Sequence, residues 1–267
     1  MGGIAKLLIV AGSDSGGGAG IQADIKSASA MGVYASTAIT AVTAQNTLGV
    51  QAVAALAPAL VAAQIASVLD DIGAGAVKIG MLADDAIVAA VADALDRFAG
   101  PIVLDPVMVA KSGDALLSDD AVAALADRLL PRAALLTPNL PEAARLLGTA
   151  PARTADEAAA QGRALCALGP RAVLMKGGHG AGARCADLLV TRDGVATFEA
   201  PRLATRNTHG TGCSLSSAIA ANMARGSSPH AAVARAHRWL HGAIAAADRL
   251  EVGSGHGPVH HFHEVWT

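Results

Sequence analysis

Apolar positions fall into two alternating patterns along this chain. Short continuous runs such as Leu7-Leu8-Ile9-Val10-Ala11 predict strands buried on both faces. Between them, apolar side chains recur every three or four positions, which predicts helices. The first helix is expected over about 21–31, then a β-branched strand over 36–43 and a further strand over 50–56, open to antiparallel pairing. Pro58 opens a helix running to about 71. Strands over 76–81, 101–105 and 133–137 are each followed by a helix, the first over about 84–98, the second over about 118–130 and the third, after Pro138-Asn139-Leu140-Pro141-Glu142, running to 147. Thr154 with Glu157 three residues on is a capping box that opens another helix. A strand over 172–176 precedes a hairpin over 187–201 with Asp193-Gly194 at its turn, and the last helix spans about 229–249. The alternation predicts an α/β fold with a mostly parallel central sheet and helices on both faces. No repeat or low-complexity linker divides it, so one domain over 1–267 is expected.

Two glycine-rich stretches interrupt this pattern. Gly12-Ser13-Asp14-Ser15-Gly16-Gly17-Gly18-Ala19-Gly20 links the first strand to the first helix. Its glycines do not fall in the dinucleotide-binding spacing, and the chain has no Walker A motif. So many adjacent glycines are costly in chain entropy, which favours a ligand approaching the backbone. Asn207-Thr208-His209-Gly210-Thr211-Gly212-Cys213 feeds directly into an apolar helical run, Leu215, Ile219 and Met223. First-turn amides lack an internal partner and carry the positive end of the helix dipole, so this loop suits anionic oxygen such as phosphate. Taken alone it reads equally as a buried helix start with an inert thiol. A cysteine at a helix start is expected to have a lowered pKa, which would make Cys213 a base beside an anion hole.

In a parallel α/β sheet, ligands bind at the carboxyl ends of the strands. Asp14, Gln45, Asp105, Asn139, Glu142, Lys176 and His179 all follow strands, so they share that edge with the Gly210–Cys213 loop. One site explains them together. Singly, Gln45 and Asn46 fit an Asx-type turn as well as a ring-edge grip, Asp105 before Pro106 fits a cap, and Lys176 with Glu142 fits a surface ion pair.

Composition narrows the setting. Hydrophobic residues make up 52% of the chain but aromatics only 2%, so the core is built from small aliphatic side chains. A net charge of -2 offers no electrostatic footprint for nucleic acid or an anionic membrane. No apolar run reaches membrane-spanning length, and no signal peptide is evident at Met1-Gly2-Gly3-Ile4. Cys166, Cys185 and Cys213 form no disulfide or metal spacing, which points to a reducing cytoplasm. An anion hole, a lysine and two carboxylates suggest phosphoryl transfer assisted by magnesium. Asp105 and Glu142, with Asn139 nearby, are the candidate oxygen donors; Lys176 would neutralise phosphate charge, and Cys213 could take the proton of an attacking hydroxyl.

At this point the residues reach a resemblance. Ala11-Gly12-Ser13-Asp14, Gly18-Ala19-Gly20-Ile21-Gln22-Ala23-Asp24, Thr43-Ala44-Gln45-Asn46-Thr47, Lys78-Ile79-Gly80-Met81-Leu82 and Leu104-Asp105-Pro106-Val107-Met108 resemble the bacterial hydroxymethylpyrimidine/phosphomethylpyrimidine kinases of thiamine biosynthesis. So do Thr137-Pro138-Asn139-Leu140-Pro141-Glu142, Leu174-Met175-Lys176-Gly177-Gly178-His179, His209-Gly210-Thr211-Gly212-Cys213 and Gly257-Pro258-Val259-His260-His261-Phe262. The resemblance implies a ribokinase-like fold and two rounds of ATP-dependent phosphorylation, first of the aminopyrimidine alcohol and then of its monophosphate. It implies that Gln45 grips the pyrimidine ring, with Ala19, Asp24, Thr43, Met81 and Val107 around it. It also implies an anion hole at Gly210, Thr211, Gly212 and Cys213, Mg2+ at Asp105 and Glu142, and a homodimer. The nearest alternative is a pyridoxal kinase. A sugar kinase is disfavoured by Cys213 in place of an acidic base, and a non-catalytic pyrimidine-binding protein has no need of Lys176, Asp105, Glu142 and Cys213 together.

Overall fold

A computed structural model describes residues 3–108, 117–178 and 182–266. His179, one of the expected edge residues, lies outside the described residues. In chain order the elements are β1 (Lys6–Asp14), α1 (Gly20–Ala30), β2 (Tyr34–Asn46), β3 (Gly49–Ala55), α2 (Pro58–Ser67), β4 (Ala76–Ile79) and α3 (Asp85–Ala94). There follow β5 (Ile102–Leu104), α4 (Asp119–Arg128), β6 (Leu135–Leu136), α5 (Leu140–Leu147), α6 (Ala155–Ala167) and β7 (Ala172–Met175). The hairpin β8 (Arg184–Thr191) and β9 (Gly194–Pro201) and the helices α7 (Thr211–Ala224) and α8 (Pro229–Ala245) complete the fold.

The strands form one sheet in the order β3-β2-β1-β4-β5-β6-β7-β8-β9. The run from β2 to β7 is parallel, while β3, β8 and β9 pair antiparallel at the two ends. Successive residues of β1 serve opposite faces. Leu8 and Val10 join a core that includes Val61 and Ile65 of α2, Val88 of α3, Leu125 of α4 and Leu165 of α6. Leu7, Ile9 and Ala11 join a second core with Ile21 of α1, Leu215 and Ile219 of α7, and Val233 and Trp239 of α8. Burial on both sides explains why these strands read as continuous apolar runs.

Local chemistry sets the helix ends. Pro58 occupies the first turn of α2, Asp84 and Ser118 cap α3 and α4 through the amides of Ile87 and Ala121, and Thr154 with Glu157 forms the expected capping box of α6. Several helices end earlier than their apolar spacing suggests, α8 among them at Ala245 rather than 249. The helix from Pro58 ends at Ser67 and widens into a π-helical turn, Val68–Ile72, stopped by Gly73 at φ 73°. The helix after Asp84 ends at Ala94 rather than 98, because Leu95 and Phe98 turn to close on the core. Among the described residues, no helix is long and apolar enough to cross a membrane.

Candidate active site

The carboxyl ends of β1, β2, β5, β6 and β7 bring the expected residues to one edge of the sheet, opposite the start of α7. The loop after β1 is folded around Asp14. One carboxylate oxygen accepts the amide of Gly16 at 2.8 Å; the other accepts those of Gly18 and Ala19 at 3.1 and 2.8 Å. His209 Nε2 reaches that second oxygen at 3.0 Å. Burial alone would raise the Asp14 pKa, but these hydrogen bonds outweigh it and hold the group ionised. The close approach of Gly18 and Gly210 makes the second glycine loop necessary. A Cβ on Gly210, whose φ is 77°, would run into the Gly18 carbonyl. Gln45 lies beside this junction, its amide 3.1 Å from Thr43 Oγ1 and 3.4 Å from His209 Nε2. Met81 follows β4, with its sulfur 3.1 Å from where a Cβ on Gly12 would sit, so Gly12 keeps the floor of this region open. Val107 is half-buried in the segment after β5.

A second group gathers at the first turn of α7. Lys176 follows β7, with Nζ 2.8 Å from Asp105 Oδ1 and 3.9 Å from Glu142 Oε2. A Cβ on Gly212 would lie 3.4 Å from that nitrogen and 3.7 Å from Asp105 Oδ2. The ammonium therefore faces the amide-bearing start of the helix across a glycine that leaves the gap open. Burial would lower the Lys176 pKa, but Asp105 and Glu142 push it above the ordinary lysine range, so it stays charged. Asp105 also accepts from Thr137 Oγ1 at 3.0 Å and Ser216 Oγ at 3.2 Å. Burial opposes its ionisation, yet Lys176 and Lys78 hold it below the usual carboxylate range. Burial drives Glu142 the other way, up to about 7, with Asp105 adding to the rise against the pull of Lys176. At neutral pH that carboxyl can carry a proton or offer oxygen. Asp187 fixes the turn after Lys176 by accepting the Gly177 amide at 2.9 Å.

Several expected roles need correction. Asn139 is the N-cap of α5: its side-chain oxygen accepts the Glu142 amide at 2.8 Å, and Glu142 returns the bond to the Asn139 amide at 2.7 Å. Its side chain completes a capping box instead of aiming at a cation, so it is removed from the metal donors. Asp24 does not line the ring pocket. It is fully buried, bonded to Lys78 Nζ through both oxygens at 2.8 and 2.9 Å and to Ser217 Oγ at 2.7 Å. Cys213 keeps some open surface, but burial of its thiol raises the pKa to about 11, with Asp24 and Asp105 acting in the same direction. Lys78 and a hydrogen bond from the Gly20 amide oppose this and lose. The helix-start argument, which predicts a lowered pKa, is overridden by desolvation.

Lys78 and Thr137 stand in the motifs quoted above without a role, and Ser216 and Ser217 carry no signal of one. A lysine inside the short apolar strand Ala76–Ile79 is the one available signal, since such a position must find a buried partner. Burial would strip its proton, but Asp24 outweighs this and holds the ammonium. The Asp24–Lys78–Ser217 cluster ties α1 and α7 to β4 just beneath the two glycine loops. Lys78→Met alone should cost about 3–5 kcal/mol, since it strands a buried carboxylate. Adding Asp24→Leu should recover most of that loss in a thermal melt; a double variant as unstable as the single one would contradict it.

A parallel sheet flanked by helices, with a lysine and two carboxylates facing a glycine-led helix start, defines a phosphoryl-transfer enzyme of the α/β class. A family profile described as phosphomethylpyrimidine kinase matches residues 14–260. The hydroxymethylpyrimidine/phosphomethylpyrimidine kinase of Salmonella typhimurium is 56% identical over 260 residues, covering 97% of this chain and 98% of that protein. The chain belongs to the phosphomethylpyrimidine kinase family. Among solved structures, the phosphomethylpyrimidine kinase of Clostridium difficile matches with a TM-score of 0.80 and 40% identity, covering 91% of this chain and all (100%) of that one. An ADP complex of Bacillus subtilis pyridoxal kinase matches with a TM-score of 0.91 and 32% identity, covering 99% and 100%. The fold is therefore the ribokinase-like one that the motifs implied.

Proposed function

We propose that this enzyme transfers the γ-phosphoryl group of ATP to the hydroxymethyl oxygen of 4-amino-5-hydroxymethyl-2-methylpyrimidine. A second transfer, to the resulting monophosphate, gives the diphosphate used in thiamine biosynthesis. The observation that carries this reading is the position of Lys176 against the first turn of α7, on the same sheet edge as Gln45. Gln45 grips the ring edge, with Thr43, Ala19, Met81 and Val107 beside it. The amides of Gly212 and Cys213 and the Lys176 ammonium receive phosphate oxygens, and Cys213 stands where the attacking hydroxyl must lose its proton. Gly210 and Thr211 shape the turn into that helix.

Asp105 and Glu142 fit a magnesium ion that keeps most of its waters, because they offer carboxylate oxygen within reach of the phosphate position. No group of three His, Cys, Asp or Glu side chains among the described residues forms a cage, as suits a cation held largely by nucleotide and water. Bound there, Mg2+ would offset phosphate charge. A homodimer suits the exposed apolar side chains Val42, Leu48 and Val53 on β2, β3 and the turn between them. Three unpaired cysteines suit the reducing cytoplasm.

Release of ADP measured over a panel of ring alcohols tests the function. Turnover is expected on the aminopyrimidine alcohol and on its monophosphate; efficient turnover on pyridoxal alone would reassign the enzyme. Gln45→Ala should weaken binding of the pyrimidine by about tenfold to a hundredfold, the size expected for losing paired hydrogen bonds. Calorimetry showing wild-type affinity would refute the ring-gripping role.

A further inference from the structure

His209 is buried, its ring laid against Gly18, and its Nε2 faces two partners at once. Asp14 Oδ2 lies 3.0 Å away and the Gln45 amide nitrogen, as placed, 3.4 Å. An ionised carboxylate only accepts, so His209 Nε2 must carry a hydrogen to bond it. A nitrogen that bears a hydrogen cannot accept from an amide NH2. The far end of the same amide has a second conflict. Thr43 has one hydroxyl hydrogen, yet both the Ser13 carbonyl at 3.0 Å and the Gln45 amide oxygen at 3.1 Å call for it.

Exchanging the amide nitrogen and oxygen removes both conflicts. The two atoms have the same shape, and their identity is settled by the surrounding hydrogen bonds. With the amide turned, Gln45 NH2 donates to Thr43 Oγ1, and Thr43 donates to the Ser13 carbonyl. The His209 N–H is then shared between Asp14 and the Gln45 carbonyl. Asp14 itself cannot shift, because the amides of Gly16, Gly18 and Ala19 hold it. The direction of the Gln45 amide is thereby fixed from Asp14 through His209.

We propose that His209 is a specificity-determining positioning residue: anchored by Asp14, it sets which end of the Gln45 amide is oxygen, and so the order of donor and acceptor shown to the substrate ring. The order it sets, carbonyl on the His209 side and N–H on the Thr43 side, matches a ring with an exocyclic amino group beside a ring nitrogen. A ring with an oxo group beside a ring N–H shows the reverse order and is refused. This inference rests on Gln45 gripping the ring.

The test compares kcat/KM for the 4-amino alcohol and its 4-oxo analogue in wild-type enzyme, His209→Leu and His209→Gln. His209→Leu should reduce the preference for the amino ring by about tenfold or more, whereas His209→Gln, which can still donate to Asp14 and Gln45, should keep most of it. Equal slowing of both substrates in His209→Leu, with the ratio unchanged, overturns the proposal. Should that variant not fold, His209→Met, which likewise cannot donate to Asp14 or the amide, must lower the same ratio; an unchanged ratio overturns it equally. Histidine 15N spectra of the wild-type enzyme should show His209 protonated at Nε2, and protonation at Nδ1 alone overturns it. If Gln45→Ala retains full affinity, the ring-gripping reading falls and this inference with it. If Gln45→Ala loses affinity while His209→Leu keeps its preference, only this inference falls.

Discussion

Lys176→Met should lower kcat by about a thousandfold, with a much smaller change in KM for the pyrimidine. The ammonium lies against the first turn of α7, across the space that a side chain on Gly212 would fill. A phosphoryl group received by those amides gathers its transition-state charge beside Lys176. Methionine keeps the volume and removes the charge, so the loss falls on the step in which that charge grows. A second effect follows inside the protein. Asp105 and Glu142 lose the cation that separates them. Glu142, raised to about 7 while Lys176 still pulls it down, must then rise further and take up a proton at neutral pH. Steady-state kinetics at saturating ATP checks the main effect. A kcat within tenfold of wild type would remove Lys176 from the phosphoryl path.

Cys213→Ser should lower kcat by about a hundredfold or more while leaving pyrimidine affinity within a few-fold of wild type, as expected for a group that matters in proton transfer. The shift in its pKa adds a signature. A thiol raised to about 11 is almost wholly protonated at pH 7, and its thiolate fraction grows as pH rises toward that value. The wild-type rate should therefore keep climbing between pH 7 and 9, and the serine variant should lack that limb. A serine variant with the same pH profile as wild type would show that Cys213 only lines the anion hole.

Much of the architecture is legible in the residues because it is set locally. The strand–helix alternation and the Thr154–Glu157 capping box depend on neighbours within a few positions and are found in the fold; the hairpin is found too, but its turn falls one residue earlier, at Arg192-Asp193, with Gly194 opening β9. The shared sheet edge was legible too, since parallel topology places every strand end on one side. What was not legible depends on distant partners. Lys78 finds Asp24 54 positions away, and His209 finds Asp14 195 positions away. No spacing rule connects such pairs. The family motifs marked Asp24 as a ring neighbour, but only the packing of α1 on β4 and α7 shows that Lys78 and Ser217 consume it. The Cys213 pKa failed for a related reason. Helix position is visible in sequence, whereas the depth of the thiol is a property of the assembled core.

The contacts of residues 255–258 bear on how the protein is made. The amide of Gly255 reaches Thr47, 208 positions earlier, and the Gly257 carbonyl accepts the His209 amide. The end of β2 that carries Gln45 and Asn46 and the ring of His209 are thus braced by residues that leave the ribosome after nearly everything they brace. Pairings this remote close slowly and late. A nascent chain halted near residue 240 would have both faces of its sheet largely covered yet no braced Gln45–His209 junction, so competence to bind arrives only once residues 255–258 have emerged.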